Sequence, residues 1–518
     1  MNNYKSIIKA DYLQRTRSYI FIVTLIVSVF FAISFVPNAN ASYTTVRIGN
    51  FVGVNNAAWI GHTTAIMTSV FLWLFGFFVI NNGIKRDDET GVGQIIATTS
   101  ISNYSYLLAK SLSNFLILLT ITGVIILVAV GLVFYRGYEY TFDATQFLMP
   151  YLLATLPSIF FVSVLAVFFE VVFRNKTNLS NITFFFLFPV IIKVTQAVNN
   201  SNLIWLDVLG IKHLTTQITS FVNTKATTTP QDISVGFNFS SNLKVNHFLF
   251  EGSVFTTEYI LSRLLWIGLA FGILKLSAKL FNRFNTKPII STKEKSSSIL
   301  KEQVITNPIK ITDWPKANID YGIIPLVKTE LKLLVSKGPK WFWLVNLGCF
   351  ISLFLIPLNT AYEIGLPIFW FLQINRWADL STKEKQYGTD NFIFATYKPV
   401  QRLLLAQIIA GTILALLLAL PLLLRYLLIL EVSNSIEIIL GALILISFSI
   451  VSGIIFKGKR FFEIAFFFTT YAIIQKIPFV DYLGTTQNGI TFILIQTSIC
   501  SVFLALSGTI RKYEISKQ

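Results

Sequence analysis

The chain has 518 residues, 54% of them hydrophobic and only 13% charged. A soluble globular chain carries about a quarter charged residues, so water alone cannot be the solvent of this protein and lipid must supply part of it. The net charge of +17 comes from Lys and Arg interrupted by long apolar runs, which speaks for membrane orientation and against nucleic-acid binding.

A membrane span needs roughly 17–25 mainly apolar residues. Such runs fall at 19–36, 58–80, 112–134, 147–173, 182–198 and 259–281, and again at 341–358, 361–377, 401–424, 436–456, 461–480 and 488–510. The run 361–377 is the weakest, with Glu363 and Pro367 inside it. Pro157, Pro189, Pro367 and Pro421 are expected kinks whose freed carbonyls neighbouring helices satisfy. Ahead of the first run, Lys9, Asp11 and Arg15 sit among apolar residues in a pattern expected of an amphipathic helix lying on the membrane surface. Basic residues, an apolar run and Ala39-Asn40-Ala41 before Ser42 also suggest a signal peptide. The run is long for a signal core and has a mid-chain counterpart, so it is read as a retained first span.

Twelve spans put both termini on one side. Of the 42 Lys and Arg, all fall on that side except Arg47, Arg136, Lys193, Lys212, Lys225, Lys244, Arg263, Arg425 and Lys476. Positive residues stay in the cytoplasm, so both termini are expected there. Charges near span ends, at Glu170, Lys193, Arg263, Glu363, Glu463 and Lys476, read as groups that snorkel to the interface.

The pattern then repeats. Leu326 to Leu331, with Lys328, Glu330 and then Lys332, echoes the stretch Ile7 to Leu13, and each precedes basic residues and a span. Aligning Gly91 with Gly388 matches Ile96 to Ile393, Thr99 to Thr396, and Leu107-Leu108-Ala109 to Leu404-Leu405-Ala406. Phe184-Phe185-Phe186 is echoed by Phe466-Phe467-Phe468, each after a basic turn. The expectation is an all-α polytopic membrane protein of about 12 transmembrane helices, built as two parallel six-span modules at 1–282 and 326–518. Between them, 283–325 has the composition of a solvated cytoplasmic linker. The first module has a long extracytoplasmic loop, 199–258, in which Ile233, Val235, Phe237 and Phe239 alternate with other residues and predict a small half-buried hairpin.

Chemistry-bearing motifs are missing. No Gly-x-x-x-x-Gly-Lys-Ser/Thr phosphate cradle occurs and no His-Glu-x-x-His. Cys349 and Cys500 lie in apolar runs, and His62, His213 and His247 share no helical face, so neither a catalytic nor a metal site is expected. The informative segment is the loop after the second run, Ile84-Lys85-Arg86-Asp87-Asp88-Glu89-Thr90-Gly91-Val92-Gly93-Gln94-Ile95-Ile96-Ala97-Thr98-Thr99-Ser100, followed by Tyr104 to Lys110. With its charged start, Glu-x-Gly step, apolar turn and basic entry into the next span, it resembles the ABC-2 type permease family of ATP-binding-cassette exporters, with Arg86, Glu89, Gly91, Ile95, Ala97, Thr98 and Lys110 matching. In the second module Arg376, Glu384 and Gly388 keep the pattern, while Gln386 replaces the Glu and Pro399 interrupts the next helix.

The resemblance implies a permease without its own nucleotide site, driven by two cytoplasmic ABC ATPase subunits that bind ATP and Mg and dock on these loops. Arg86, Asp87, Asp88, Glu89, Thr90, Gly91, Ile95, Arg376, Glu384 and Gly388 would form the coupling levers. Lys9, Asp11, Arg15, Lys328, Glu330 and Lys332 would form the interfacial helices. A hydrophobic or amphipathic cargo would leave the cytoplasm or inner leaflet of a bacterial inner membrane. Two other readings stay open: a 12-span secondary transporter, and a membrane sensor or anchor regulating an associated ATPase.

Overall fold

A computed structural model describes residues 3–38, 41, 43–137, 142–174, 177–197, 205–225, 232–239, 245–282, 321–477, 480–485 and 489–516. Most of the expected linker, and Ala39 and Asn40 of the small-residue run, lie outside the described residues. Helix α1 (Asn3–Thr16) meets α2 (Tyr19–Phe35) at a 72° bend. Ser18 sits at the corner, and its hydroxyl caps α2 by accepting from the Phe21 amide. After β1 (Tyr43–Ile48) and β2 (Phe51–Gly53) comes α3 (57–80), capped by the Asn56 side chain accepting from Trp59 N at 2.8 Å. Two short helices, α4 (Gly83–Glu89) and α5 (Val92–Thr98), lead into α6 (Asn103–Arg136). The first half continues with α7 (Ala144–Val172), α8 (Thr177–Ala197), α9 (Ile211–Lys225), β3 (Ile233–Phe239), β4 (Asn246–Phe248) and α10 (Thr257–Leu280).

The second half runs α11 (Ile324–Ser336), α12 (Phe342–Leu355), α13 (358–371), α14 (Ile374–Ala378), α15 (Lys383–Gln386), α16 (Asp390–Phe394), α17 (Val400–Leu428), α18 (Val432–Phe456), α19 (Arg460–Ile474) and α20 (Ile490–Ser516). In both halves the surface helix packs on the third long helix, α1 on α6 and α11 on α17, and the last helix packs on the fourth, α10 on α7 and α20 on α18.

Each of the twelve apolar runs holds a helix, and the protein is a helical, multi-pass membrane protein. Among the described residues seven helices are long and apolar enough to cross a bilayer, or eight if α1 and α2 count as one bent span. Twelve full crossings therefore exceed what helix length shows, because α8, α12, α13 and α19 fall short of a full span. Prolines account for part of the irregularity. Wide π-type turns at Tyr151–Thr155 and Ala361–Gly365 each end two residues before a proline, Pro157 and Pro367. A proline has no N–H to close the preceding turn, and the backbone widens there.

The expected hairpin is a different structure. Strand β3 pairs antiparallel with β1, from the connection between α2 and α3, with Ile48 opposite Ile233 and Tyr43 opposite Phe239. The four-stranded sheet has order β3-β1-β2-β4, with β2 and β4 parallel. The alternation found a real strand, but its partner lies almost two hundred residues earlier. Tyr43 to Ile48 also alternates, with Val46 and Ile48 buried.

The two halves meet along a seam of phenylalanines. Phe467 stands 4.0 Å from Phe78 between ring centroids, Phe185 stands 4.5 Å from Phe371, and Phe185 and Phe467 meet edge-on at 5.0 Å. Phe468 packs on Phe31 and Phe75 at 5.1 and 4.9 Å. Lipid chains are as apolar as leucine, so the hydrophobic effect does not drive helices together here, and close van der Waals packing must. Aromatic pairs add about 0.5–1.5 kcal/mol each beyond their area. Phe185 of the first Phe triplet and Phe467 and Phe468 of the second thus stand at the junction between the halves.

Candidate coupling site

At the end of the bundle opposite the sheet, the first loop folds back as the pair α4 and α5. Asn82, with φ 71°, breaks α3, and the N-terminus of α4 is held by Glu170 of α7, whose carboxylate accepts from Gly83 N at 3.0 Å and Ile84 N at 2.6 Å. A carboxylate at a helix start satisfies orphan amides and complements the helix dipole. Gly91 turns the chain between α4 and α5 at φ 74°. A Cβ there would meet nothing within 4 Å, so backbone conformation, not space, calls for glycine.

The base of this lever is a buried ionic knot. Asp11 of α1 faces Arg86 at 2.8 Å, Lys110 at 3.2 Å and Arg15 at 3.3 Å, and accepts from the Ser113 hydroxyl at 2.6 Å. Burial opposes the charge on Asp11, but Arg15, Lys110, Ser113 and Arg86 outweigh it and hold its pKa well below the usual carboxylate range. Asp87 is also buried, paired with Lys110 at 2.8 Å and accepting from the Tyr106 hydroxyl at 2.7 Å. The loop is thereby tied to α1 and α6 together.

The second half repeats the knot at matched positions. The register that sets Gly91 on Gly388 sets Arg86 on Lys383, Asp87 on Glu384, Lys110 on Gln407 and Ile95 on Phe392. Lys383 pairs with Glu330 of α11, the counterpart of Asp11, and Glu384 accepts from Gln407 Nε2 at 2.7 Å. Gly388 has φ 64°, again left-handed. Here burial dominates, and the Glu384 carboxyl is pushed above its usual range despite Lys383. Gln407 carries no charge to compensate, unlike Lys110.

The sequence-predicted residues divide into two groups. Asp88, Glu89, Thr90 and Ile95 are exposed, and Ile95 is 67% accessible. Asp88 faces Arg174 at 3.3 Å and Glu89 faces Lys85 at 3.6 Å. Arg86 is partly buried, and Asp87, Arg376 and Glu384 are buried. The expectation that these last three face a partner is corrected: they hold the lever from inside. Arg376 donates to the Leu334 and Lys337 carbonyls, both at 2.9 Å, so it pins α14 to the end of α11. Lys9, Lys328 and Lys332 are exposed on the surface helices, while Arg15 reaches the Ile80 carbonyl at 2.9 Å. Glu170 and Arg263 do not snorkel; both are buried.

Sequence reading missed Phe392, which is 82% accessible at the tip of the second lever, and Arg511 and Glu514 of α20. Glu514 pairs with Lys385, and Arg511 donates to the Ser381 carbonyl at 3.2 Å. The register already in hand pointed to Phe392; nothing local pointed to α20.

No curated protein and no solved structure matches the chain. Residues 37–206 match the protein family described as ABC-2 family transporter protein, a stretch that contains the first lever and the long helices on either side of it. That family is the permease component of its transporters and works with ABC ATPase subunits. Residues 37–206 of this membrane protein are thus similar to the ABC-2 family of transporter proteins.

Proposed function

We propose that the chain is the complete permease of an ATP-driven exporter, with two ATPase subunits docking on the levers α4–α5 and α15–α16. Its two modules, 1–282 and 326–518, arose by tandem duplication and face the same way, with both termini in the cytoplasm of a bacterial cell. The cargo is hydrophobic or amphipathic. One observation carries this reading: an exposed apolar side chain, Ile95 or Phe392, stands at the same position of each lever, above a buried polar knot that binds the lever to a surface helix and to the third long helix. A single exposed apolar residue is ordinary; the support lies in both levers carrying one at the same position. A buried, paired base makes the loop a rigid arm that moves its helices when the tip is pushed.

The experiment is co-purification of cassette ATPases on the tagged chain from its own membranes, with hydrolysis measured in vesicles. Ile95→Asp and Phe392→Asp should reach the membrane at wild-type yield yet lose ATPase retention and stimulation. Glu89→Lys should weaken both. Wild-type retention and stimulation in both tip variants would overturn the docking assignment.

A further inference from the structure

Two cavities adjoin on the seam between the halves, and the rings of Phe31, Phe71, Phe75, Phe237 and Phe468 line both. The first, of about 580 Å³, follows one face of α2 from Ile20 to Ser34 and is closed on the other side by Phe461, Ile464, Ala465 and Phe468 of the second half. Its wall contains no charged residue. At 1.5 Å per residue that face runs about 21 Å, more than half of a hydrocarbon core roughly 30 Å thick. A groove of this length, lined along one helix face, suits an extended acyl chain.

The second cavity, about 540 Å³, lies beneath the sheet and differs in chemistry. Lys212, Asp232, Thr195, Thr215 and Gln475 line it along with apolar residues. A cation and a carboxylate in one wall match a head group carrying both signs of charge. The contiguous pair is therefore apolar along the groove and polar at the sheet end, with walls from both halves.

We infer that this pair of cavities is a binding site for a single-chain zwitterionic amphiphile, its chain along α2 and its head against Lys212 and Asp232 under the sheet. This rests on the permease reading and names its cargo class. Since both halves line the groove, their relative movement would open or close it.

The test uses the full chain in nanodiscs with no ATPase present. The probe is lysophosphatidylcholine with a diazirine near the end of its chain. Adducts should map to residues 20–34 and 461–468, and unlabelled lysophosphatidylcholine should compete while equal diacyl phosphatidylcholine should not. Thr24→Trp and Ala465→Trp place a ring in the groove from opposite walls. Each excluded methylene costs about fourfold in affinity, so losing two lowers adduct yield by more than about tenfold. Ser501→Trp, on an exposed position of α20, should leave it unchanged. Adducts spread evenly over lipid-facing helices, equal competition by diacyl lipid, or full adduct yield in both groove variants would overturn the site. If the groove variants fail to fold, competition on the wild-type chain decides. Failure here leaves lever docking intact, and uncoupled lever variants should still bind the probe.

Discussion

Removing the Asp11 carboxylate should release the first lever, and the size of the effect follows from what each neighbour retains. In Asp11→Ala, Lys110 keeps Asp87 at 2.8 Å and Arg15 keeps the Ile80 carbonyl at 2.9 Å. Arg86 loses its ion pair, and the Ser113 hydroxyl loses the acceptor at 2.6 Å. Breaking a fully buried pair costs about 3–5 kcal/mol. The Arg86 side chain is 19% accessible, so water relieves part of that, and about 3 kcal/mol is expected for the whole site. If α4 opens locally, its amides should exchange with deuterium roughly 100-fold faster, read by mass spectrometry on the peptide spanning Gly83–Glu89. Arg86→Met added to Asp11→Ala should recover part of the loss by removing the stranded charge. Lys85→Gln is the control: its pair with Glu89 spans 3.6 Å with side chains 43% and 61% accessible, and such pairs contribute well under about 1 kcal/mol. Acceleration of less than about fivefold in Asp11→Ala would refute the knot as the lever's anchor.

Gly91→Ala should cost about 1 kcal/mol, since only the left-handed backbone objects, whereas Gly91→Pro cannot adopt φ 74° and should abolish ATPase stimulation without lowering membrane yield. Phe467→Ala removes a fully buried ring from the seam and should lower stability by about 3–5 kcal/mol, seen as a fall in melting temperature of the detergent-purified chain. The two levers should answer pH differently. Asp11 is held below its usual range, so its tie is fully present above the ordinary carboxylate pKa and is lost only in stronger acid; exchange of α4, corrected for intrinsic rate, should stay constant from about pH 8 to about pH 5. Glu384 is raised, so its contribution is present at low pH and lost as pH rises through that raised value, and amides of Lys383–Gln386 should be better protected near pH 5 than near pH 8. Identical profiles for the two levers would contradict the assignment of charged and uncharged partners at Lys110 and Gln407.

Each of the twelve apolar runs holds a helix because the bilayer demands continuous apolar length, whereas α9 (Ile211–Lys225), inside the expected loop, is too polar for hydropathy to find; the Gly91–Gly388 register was legible because left-handed turns need glycine. What the sequence hid was partnership. Asp87 and Glu384 sit in strings of charges that look solvated, and only the fold shows Lys110 and Gln407 facing them from the next helix. Polar residues at the start of an apolar run were the available clue, since Lys110, Ser113 and Gln407 each interrupt hydrophobic sequence. Strand β1 escaped for a similar reason: six residues with modest alternation carry little pattern until β3 is placed beside them. The broken helix at 358–371 was flagged by Glu363 and Pro367, but the sequence did not say whether it would kink or stop.

The matched knots also give the proposed two-point drive unequal responses in the two halves. In each half a carboxylate of the surface helix grips the basic residue at the same lever position, Arg86 or Lys383, and the next acidic residue grips the third long helix. Beyond that shared base the wiring diverges. The first lever's next residue, Asp88, faces Arg174 after α7, whereas the residue at that position in the second lever, Lys385, pairs with Glu514 of α20. The charge is inverted and so is the helix that receives it. In the proposed docking, force at Ile95 would pass to α1, α6 and the end of α7, and force at Phe392 to α11, α17 and the end of α20. Since α20 packs on α18, the second push reaches its fourth long helix by way of the last one. Symmetric closure of the two proposed ATPase subunits would thus be turned into different movements of the two halves, on either side of a seam whose Phe467 and Phe185 rings keep them in contact.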